Sequence, residues 1–173
     1  YDETGLPWVM PSPNMPTLDT AIVYPGTVLF EGTMLSEGRG TTRPFELLGA
    51  PWLDAGRLAQ VLNNLALDGV LFRPVSFQPT FQKWHGQHCG GVQIHVTERE
   101  SFRPVLTATA VLGAMRQANP DRFDWRNPPY EYEADKMPID ILAGSSAFRL
   151  AIEDGFDART LASTWDGPTA SFL

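Results

Sequence analysis

The segment 30–46 holds the densest group of side chains that could bind a ligand. It reads Phe-Glu-Gly-Thr-Met-Leu-Ser-Glu-Gly-Arg-Gly-Thr-Thr-Arg-Pro-Phe-Glu, so the carboxylates Glu31 and Glu37 and the guanidinium groups Arg39 and Arg43 alternate with hydroxyls and glycines. Glycine lets a backbone approach a ligand closely, and an arginine fork binds a carboxylate bidentately. The segment predicts a site for a polar, anionic, hydroxyl-rich ligand. The alternative is a glycine-rich loop held together by internal Arg–Glu pairs.

The two carboxylates of this segment, Glu31 and Glu37, could form the acidic pair of a glycoside hydrolase. Such pairs lie about 5–5.5 Å apart in retaining enzymes and about 6.5–9.5 Å apart in inverting ones. A glycine-rich loop can place the groups at either distance, so their spacing along the chain is a weak signal. Pairing with Arg39 and Arg43 is the structural alternative.

The two arginines differ in their local surroundings. Arg39 lies between Gly38 and Gly40, where the backbone can fold around a ligand. Arg43 precedes Pro44, which keeps its backbone extended, and a role in fastening the loop explains it equally well. Because desolvated charges need partners, we expect at least one of the two guanidinium groups to lie within hydrogen-bond reach of a carboxylate.

A second polar group surrounds the single cysteine. His85, His88, Cys89 and His95 offer zinc-binding atoms, but glycines rather than a rigid helix separate them. His95 falls on the polar register of a predicted strand, whereas Cys89 is expected to enter the apolar core, so their side chains should diverge. We therefore predict no metal site, and expect His85, Gln87 or His88 to face a groove.

The tryptophans are candidates for stacking on a sugar ring. Trp84 stands beside His85 in a glycine-rich loop and is the best of them. Trp165 falls on the apolar face of a helix and is expected in the core. The segment 125–132 either lines a groove or fills the core beneath a long loop.

Composition is that of an ordinary globular domain. The chain has 173 residues, of which 43% are hydrophobic and 19% charged. A chain of this length and composition can form one hydrophobic core without disulfides or structural metal ions. The net charge of −7 argues against a nucleic-acid partner, because phosphate binding needs a basic patch. No stretch reaches the roughly 18 apolar residues of a membrane-spanning helix, and we predict no cofactor.

Periodicity predicts strands that alternate with helices. The fold class is therefore α/β or α+β, with a small mixed β-sheet, flanking helices and long ordered loops. The predicted strands or buried turns are 20–24, 27–30, 70–77 and 92–97. The predicted helices follow Asp54 (to about residue 67), Ser101, Ser146 and Asp157, each of which is a good N-cap residue.

Three blocks of the chain resemble a bacterial family of exo-β-N-acetylmuramidases that was long known as a domain of unknown function. The first and most specific block comprises Ser12-Pro13-Asn14-Met15-Pro16-Thr17, Tyr24-Pro25-Gly26-Thr27, Phe30-Glu31-Gly32-Thr33, Leu35-Ser36-Glu37-Gly38-Arg39-Gly40-Thr41-Thr42-Arg43-Pro44-Phe45-Glu46 and Gly49-Ala50-Pro51-Trp52. The others are Cys89-Gly90-Gly91-Val92-Gln93-Ile94-His95-Val96-Thr97, and Leu142-Ala143-Gly144-Ser145 with Trp165. The resemblance spans essentially the whole chain and is to the C-terminal half of the family.

The resemblance implies an activity on peptidoglycan fragments, namely the release of terminal N-acetylmuramic acid. It also implies that residues 1–173 form one auxiliary domain, and that a Rossmann-like N-terminal domain with the catalytic glutamates is absent from this chain. We therefore expect no catalytic residue here and no activity of the chain alone. The expected partners are peptidoglycan-derived saccharides and the missing catalytic domain, and the expected location is the periplasm or the exterior of a bacterium.

On this interpretation the substrate-binding side chains belong to the polar segment and to the His/Trp loop. They are Asn14, Glu31, Glu37, Arg39, Thr41, Thr42, Arg43, Trp84, His85, Gln87 and His88.

Two other functions remain open from the sequence. One is a non-catalytic module that binds carbohydrate or peptidoglycan, which predicts a polar surface with a self-contained groove. The other is a metal-dependent hydrolase that uses the His/Cys cluster, which predicts bound metal. The glycosidase interpretation instead predicts an exposed apolar patch where the catalytic domain docks.

Overall fold

The computed structural model describes residues 1–172, in which seven α-helices surround a three-stranded sheet. The helices are α1 (Leu18–Thr27), α2 (Ala55–Asn64), α3 (Pro104–Ala118), α4 (Pro138–Leu142), α5 (Ala147–Glu153), α6 (Ala158–Ser163) and α7 (Asp166–Phe172). The strands are β1 (Leu47–Ala50), β2 (Val70–Phe77) and β3 (Cys89–Val96), and short 3₁₀ helices cover Asp2–Thr4 and Val28–Gly32. The predicted class of a small sheet with flanking helices is confirmed. The strands pair antiparallel throughout, however, rather than in a mixed arrangement.

The sheet has the order β1-β3-β2, with β3 in the centre. Strand β2 is an edge strand, which is a position where a sheet tolerates a proline such as Pro74. Glycine is required where β3 meets β1, because a Cβ on Gly91 would lie 2.0 Å from the carbonyl oxygen of Leu48. The side chains of Val92 and Ile94 enter the main core, which lies between the sheet and the helices.

The prediction of strands or turns at 20–24 and 27–30 is wrong. Helix α1 covers the first of these ranges and the 3₁₀ helix Val28–Gly32 most of the second, and the side chain of the α1 N-cap Thr17 accepts a hydrogen bond from the Thr20 N–H at 3.3 Å. Pro25 stands inside α1, where its missing N–H removes the intrahelical bond to the Ala21 carbonyl oxygen. Gly26 lies against α3, since a Cβ there would come within 2.0 Å of the Pro104 carbonyl oxygen. A Pro-Gly pair that usually marks a turn therefore marks a close helix–helix contact here.

The other caps were predicted with mixed success. Asp54 and Asp157 cap α2 and α6 with their side chains, as expected, although α2 ends at Asn64. Ser101 does not cap α3, because its hydroxyl donates to the Glu98 carbonyl and the helix begins after Arg103. Among the described helices, none is long and apolar enough to cross a membrane.

A second, smaller apolar cluster covers the opposite face of the sheet. Cys89 is fully buried there with Leu47 and Phe77, and Trp84 packs against them. The burial of Cys89 is confirmed, but its expected divergence from His95 is wrong. Both residues belong to β3 and have the same parity, so they share one face of the sheet.

Candidate functional site

Backbone hydrogen bonds fix the polar segment (residues 30–46) in place, independently of its charged side chains. Ser36 exchanges backbone hydrogen bonds with Gly49 of β1, with N···O distances of 2.8 and 3.0 Å. The Phe45 N–H donates to the Glu37 carbonyl oxygen at 2.6 Å, which closes the loop onto itself. Gly38 has φ +75°, and a Cβ at this position would lie 2.7 Å from the Leu47 carbonyl oxygen. This geometry turns the Glu37 side chain into the protein, where it is buried.

Arg39 is the link between the two carboxylates. Its Nη2 donates to Glu31 Oε1, and its Nε lies 3.3 Å from Glu37 Oε1. The guanidinium carbon stands 5.0 Å from the centre of the Phe45 ring, so the ring supports the cation from one side. Although burial opposes it, the hydrogen bond and charge of Glu31, with the charge of Glu37, raise the pKa of Arg39.

Lys83 completes the inner part of this cluster from a different loop. Its Nζ donates to Glu37 Oε2 at 2.8 Å and to the carbonyl oxygens of Phe30 and Leu35 at 2.8 and 3.1 Å. All three ammonium hydrogens therefore have an acceptor. Burial lowers the pKa of Lys83 below its ordinary value, while the charge and hydrogen bond of Glu37 oppose that shift.

Tyr130 and Arg126 close the site from the long segment before α4. The Tyr130 hydroxyl donates to Glu31 Oε2 at 2.8 Å, and burial together with that hydrogen bond raises the pKa of Tyr130. The guanidinium carbon of Arg126 stands 5.1 Å from the centre of the Tyr130 ring. The Arg126 N–H donates to the Gly32 carbonyl at 2.9 Å, which ties this segment to the polar loop.

These groups line an open, strongly polar pocket of about 380 Å³. We call it the charged pocket; its lining residues are Glu31, Glu37, Arg39, Gln82, Arg126, Tyr130 and Glu131. Carboxylate, guanidinium, amide and phenol groups all converge on one concavity. Such a site can hydrogen-bond the hydroxyls of a saccharide and pair with an anionic substituent.

Some residues of the charged pocket are among the candidate site residues of the sequence analysis. Glu31, Glu37 and Arg39 lie in it together, and their role in binding stays a prediction. The expected arginine–carboxylate contacts are confirmed for both arginines. Arg39 contacts Glu37 as described above, and Arg43 Nη1 lies 3.2 Å from Glu46 Oε2.

The remaining predicted residues of the polar segment lie outside the charged pocket. Arg43 lines a separate cavity of about 170 Å³ beside Glu46. The Thr41 hydroxyl donates to the Gly38 carbonyl at 2.6 Å and accepts the Arg43 N–H at 3.1 Å, so it shapes the loop. Thr42 is exposed to solvent. A role of these residues in binding stays a prediction.

The other predicted substrate-binding residues also lie outside the charged pocket. Trp84 donates its Nε1–H to the Met34 carbonyl at 2.7 Å and packs on the Cys89 cluster, so only part of its ring is accessible. His85, Gln87 and His88 are exposed on the loop between β2 and β3. Asn14 lies in the N-terminal segment, where its backbone N–H bonds the Ser12 hydroxyl.

The His/Cys cluster does not assemble into a metal-ligand set. Within residues 1–172, no three His, Cys, Asp or Glu side chains are close enough together to hold a metal ion. Cys89 and His95 stand at opposite ends of β3, which separates their Cα atoms by roughly 20 Å at about 3.3 Å per residue.

Comparison with known proteins identifies the family to which the chain belongs. A family model described as "Exo-beta-N-acetylmuramidase NamZ, C-terminal" matches residues 22–173. The chain belongs to this family. The resemblance that the three sequence blocks indicate is thereby confirmed, and the family is one of peptidoglycan glycoside hydrolases.

One curated NamZ relative and two solved structures illustrate the family's range. "Peptidoglycan beta-N-acetylmuramidase NamZ" of Bacillus subtilis (strain 168) is 42% identical over 172 residues, which are 99% of this chain and 40% of the relative. A DUF1343 family protein from Bacteroides fragilis NCTC 9343 is 29% identical with a TM-score of 0.77, over 91% of this chain and 40% of that one. A second one from the same organism, at 22% identity, has a TM-score of 0.64 over 95% of this chain and 41% of its own, and supports the fold alone. The chain thus spans about 40% of the length of these NamZ and DUF1343 proteins.

Sequence reasoning missed several residues that line the charged pocket or contact its lining residues. Lys83 is one of two lysines in the chain, and that rarity was a usable signal. Arg126 and Tyr130 belong to the segment for which a groove and a core role were both open. The segment has both roles, since Trp125 packs against the core while Arg126 and Tyr130 line the pocket.

Proposed function

We propose that this domain forms one wall of the cleft in which a peptidoglycan glycosidase binds and releases terminal N-acetylmuramic acid. The catalytic carboxylates would come from an N-terminal Rossmann-like domain outside this chain. The observation that carries the proposal is the charged pocket, because it gathers saccharide-binding groups while its two inner carboxylates, Glu31 and Glu37, are held by the protein's own donors.

The hydrogen bonds of Glu31 and Glu37 support a binding role over a catalytic one. Glu31 accepts from Arg39 and Tyr130, one donor on each oxygen. Glu37 accepts from Lys83 on one oxygen and has the Arg39 Nε–H near the other. An acid or nucleophile of a glycosidase must reach the glycosidic bond with an oxygen that is free to react. Both carboxylates instead hold the pocket's donors in position.

The rim of the charged pocket supports the presence of a covering domain. Met34, Phe81 and Tyr132 are large hydrophobic residues with exposed fractions of 40%, 47% and 104%. Phe81 and Tyr132 adjoin the lining residues Gln82 and Glu131 along the chain. Ligand sites commonly lie at domain interfaces, where such a rim becomes buried. These three side chains are our candidates for the apolar patch that the glycosidase interpretation predicts.

A non-catalytic binding module is a second candidate, because every lining residue of the charged pocket belongs to this one chain. Such a module would bind muramyl saccharides with no partner domain. In the glycosidase the pocket contributes to turnover of the substrate, whereas in the binding module it only binds the saccharide.

The test uses a chimera in which this chain replaces the matching 40% of Bacillus subtilis NamZ. We expect the chimera to hydrolyse a chromogenic β-N-acetylmuramide and the isolated chain not to. Turnover by the isolated chain that disappears on Glu31→Gln or Glu37→Gln would overturn the proposal and make the loop catalytic. A folded chimera whose rate is unaffected by pocket substitutions, beside an isolated chain that binds the sugar, would favour the binding module.

A further inference from the structure

We infer that Arg126, rather than Arg39, binds the carboxylate of the substrate. The inference rests on the proposed function and deepens it, since it names the anionic group that the charged pocket selects. Muramic acid differs from glucosamine by a lactyl carboxylate, and that group is the one for which Arg126 is placed.

Arg39 is already committed to the protein's own carboxylates. Its Nε and Nη2 form one of the two edges with which a guanidinium group binds a carboxylate bidentately, and Nη2 belongs to the other edge as well. The Nε–Nη2 edge is divided between Glu31 and Glu37. A ligand that bound there would have to displace a partly buried ion pair, and breaking such a pair is costly.

Arg126 has the opposite surroundings. Within residues 1–172, no carboxylate oxygen lies within 4 Å of its guanidinium group. Its described contact is the Tyr130 ring, over which the cation stands at 5.1 Å. Its backbone is fixed by the bond to Gly32 and by the pairing of the preceding Trp125 with Thr33. The guanidinium is therefore positioned, partly shielded from water, and free to donate.

The ion pairs of the pocket leave Arg126 as the cation available to an anion. Arg39 and Lys83 pair with Glu31 and Glu37, whereas no ion pair within residues 1–172 includes Arg126. Glu131 also lines the pocket, but it is exposed to solvent and lies beyond 4 Å of the Arg126 guanidinium group. A ligand carboxylate would give Arg126 a partner, and the hydroxyls of the same ligand could reach Tyr130 and Gln82.

The experiment compares two substrates that differ only in this charge. The folded chimera is assayed on a β-N-acetylmuramide with a free lactyl carboxylate and on the same compound with the lactyl group amidated. We expect the acid to be preferred. Because a charge-assisted hydrogen bond is lost, Arg126→Gln should lower kcat/KM for the acid by about tenfold or more and change the value for the amide less than about twofold. Arg126→Lys should recover part of the preference, and the exposed Arg122→Gln should match the unsubstituted chimera.

The outcomes separate this inference from the proposed function. Equal turnover of acid and amide, or an acid preference that survives Arg126→Gln, overturns the role of Arg126 and leaves the proposed function standing. A folded chimera that hydrolyses neither muramide, while intact NamZ does, overturns both. The isolated chain gives an independent measurement by NMR. N-acetylmuramic acid should shift the Arg126 Nε–H resonance and N-acetylglucosamine should not; equal shifts count against the inference.

Discussion

Lys83 Nζ lies 2.8 Å from Glu37 Oε2, and the two side chains are 11% and 4% exposed. The pair connects two loops that are 46 positions apart in the chain. Since Lys83 also bonds the carbonyl oxygens of Phe30 and Leu35, it holds the polar segment against the β2–β3 loop. The contact thereby holds Glu37, which lines the charged pocket, in its buried position.

Replacement of Lys83 by methionine should destabilise the domain by about 3 kcal/mol, because Glu37 would keep a buried charge with one partner fewer. Urea unfolding of the isolated chain measures the change. The double variant Lys83→Met/Glu37→Gln should lose less than the sum of the two single variants. Lys136→Met, at an exposed lysine, should stay within about 0.5 kcal/mol of the original protein. A loss below about 1 kcal/mol for Lys83→Met would contradict a structural role for the pair.

Removal of the Tyr130 hydroxyl should cost about 1.5 kcal/mol, since a hydrogen bond to a charged acceptor is lost. The pKa of Tyr130 is raised in the folded protein, so this phenol favours the folded state fully below the ordinary tyrosine pKa near 10. As the pH rises above about 10, the unfolded chain releases this proton first and stability falls. Unfolding at pH 8 to 11 should show a shallower decline for Tyr130→Phe. The exposed Tyr132→Phe should keep the original slope.

Two glycine substitutions should have opposite effects. Gly26→Ala should destabilise by about 2 kcal/mol or more, because its methyl group would collide with the Pro104 carbonyl and force α1 away from α3. Gly113→Ala lies inside α3 with no atom within 4 Å of the added carbon, and it should stabilise by up to about 1 kcal/mol. The thermal unfolding midpoints of the two variants measure both changes in stability. Equal shifts for both variants would show that α1 and α3 do not pack as described.

The Cys89 thiol should be unreactive in the folded protein. Burial raises its pKa to about 11, so at pH 8 almost all of it is protonated, and the side chain has no exposed surface. We expect Ellman's reagent to label less than about a tenth of the thiol within minutes at pH 8, and all of it after unfolding in guanidinium chloride. Rapid and complete labelling of the native chain would place Cys89 at the surface and reopen the question of a metal ligand.

Local signals in the sequence were sufficient for several parts of this structure. Asp54 and Asp157 predicted the starts of α2 and α6 because an N-cap bond involves only residues two or three positions away. The residues 70–77 were predicted as a strand, and β2 has these bounds. Glu31, Glu37 and Arg39 could be assigned to one site because a single glycine-rich loop carries all three, and the family was recognisable from the same segment.

Tertiary structure alone decided which residues complete the site. Tyr130 bonds Glu31 across 99 positions, and Lys83 bonds Glu37 across 46, and no periodicity along the chain encodes contacts of that range. The helix at 18–27 depends on Gly26 meeting α3, a packing event that overrides the turn preference of Pro-Gly. The role of Arg39 likewise depended on distant neighbours: its local sequence marked it as free for a ligand, but burial beside two carboxylates made it an internal partner, because charges that leave water must pair with one another.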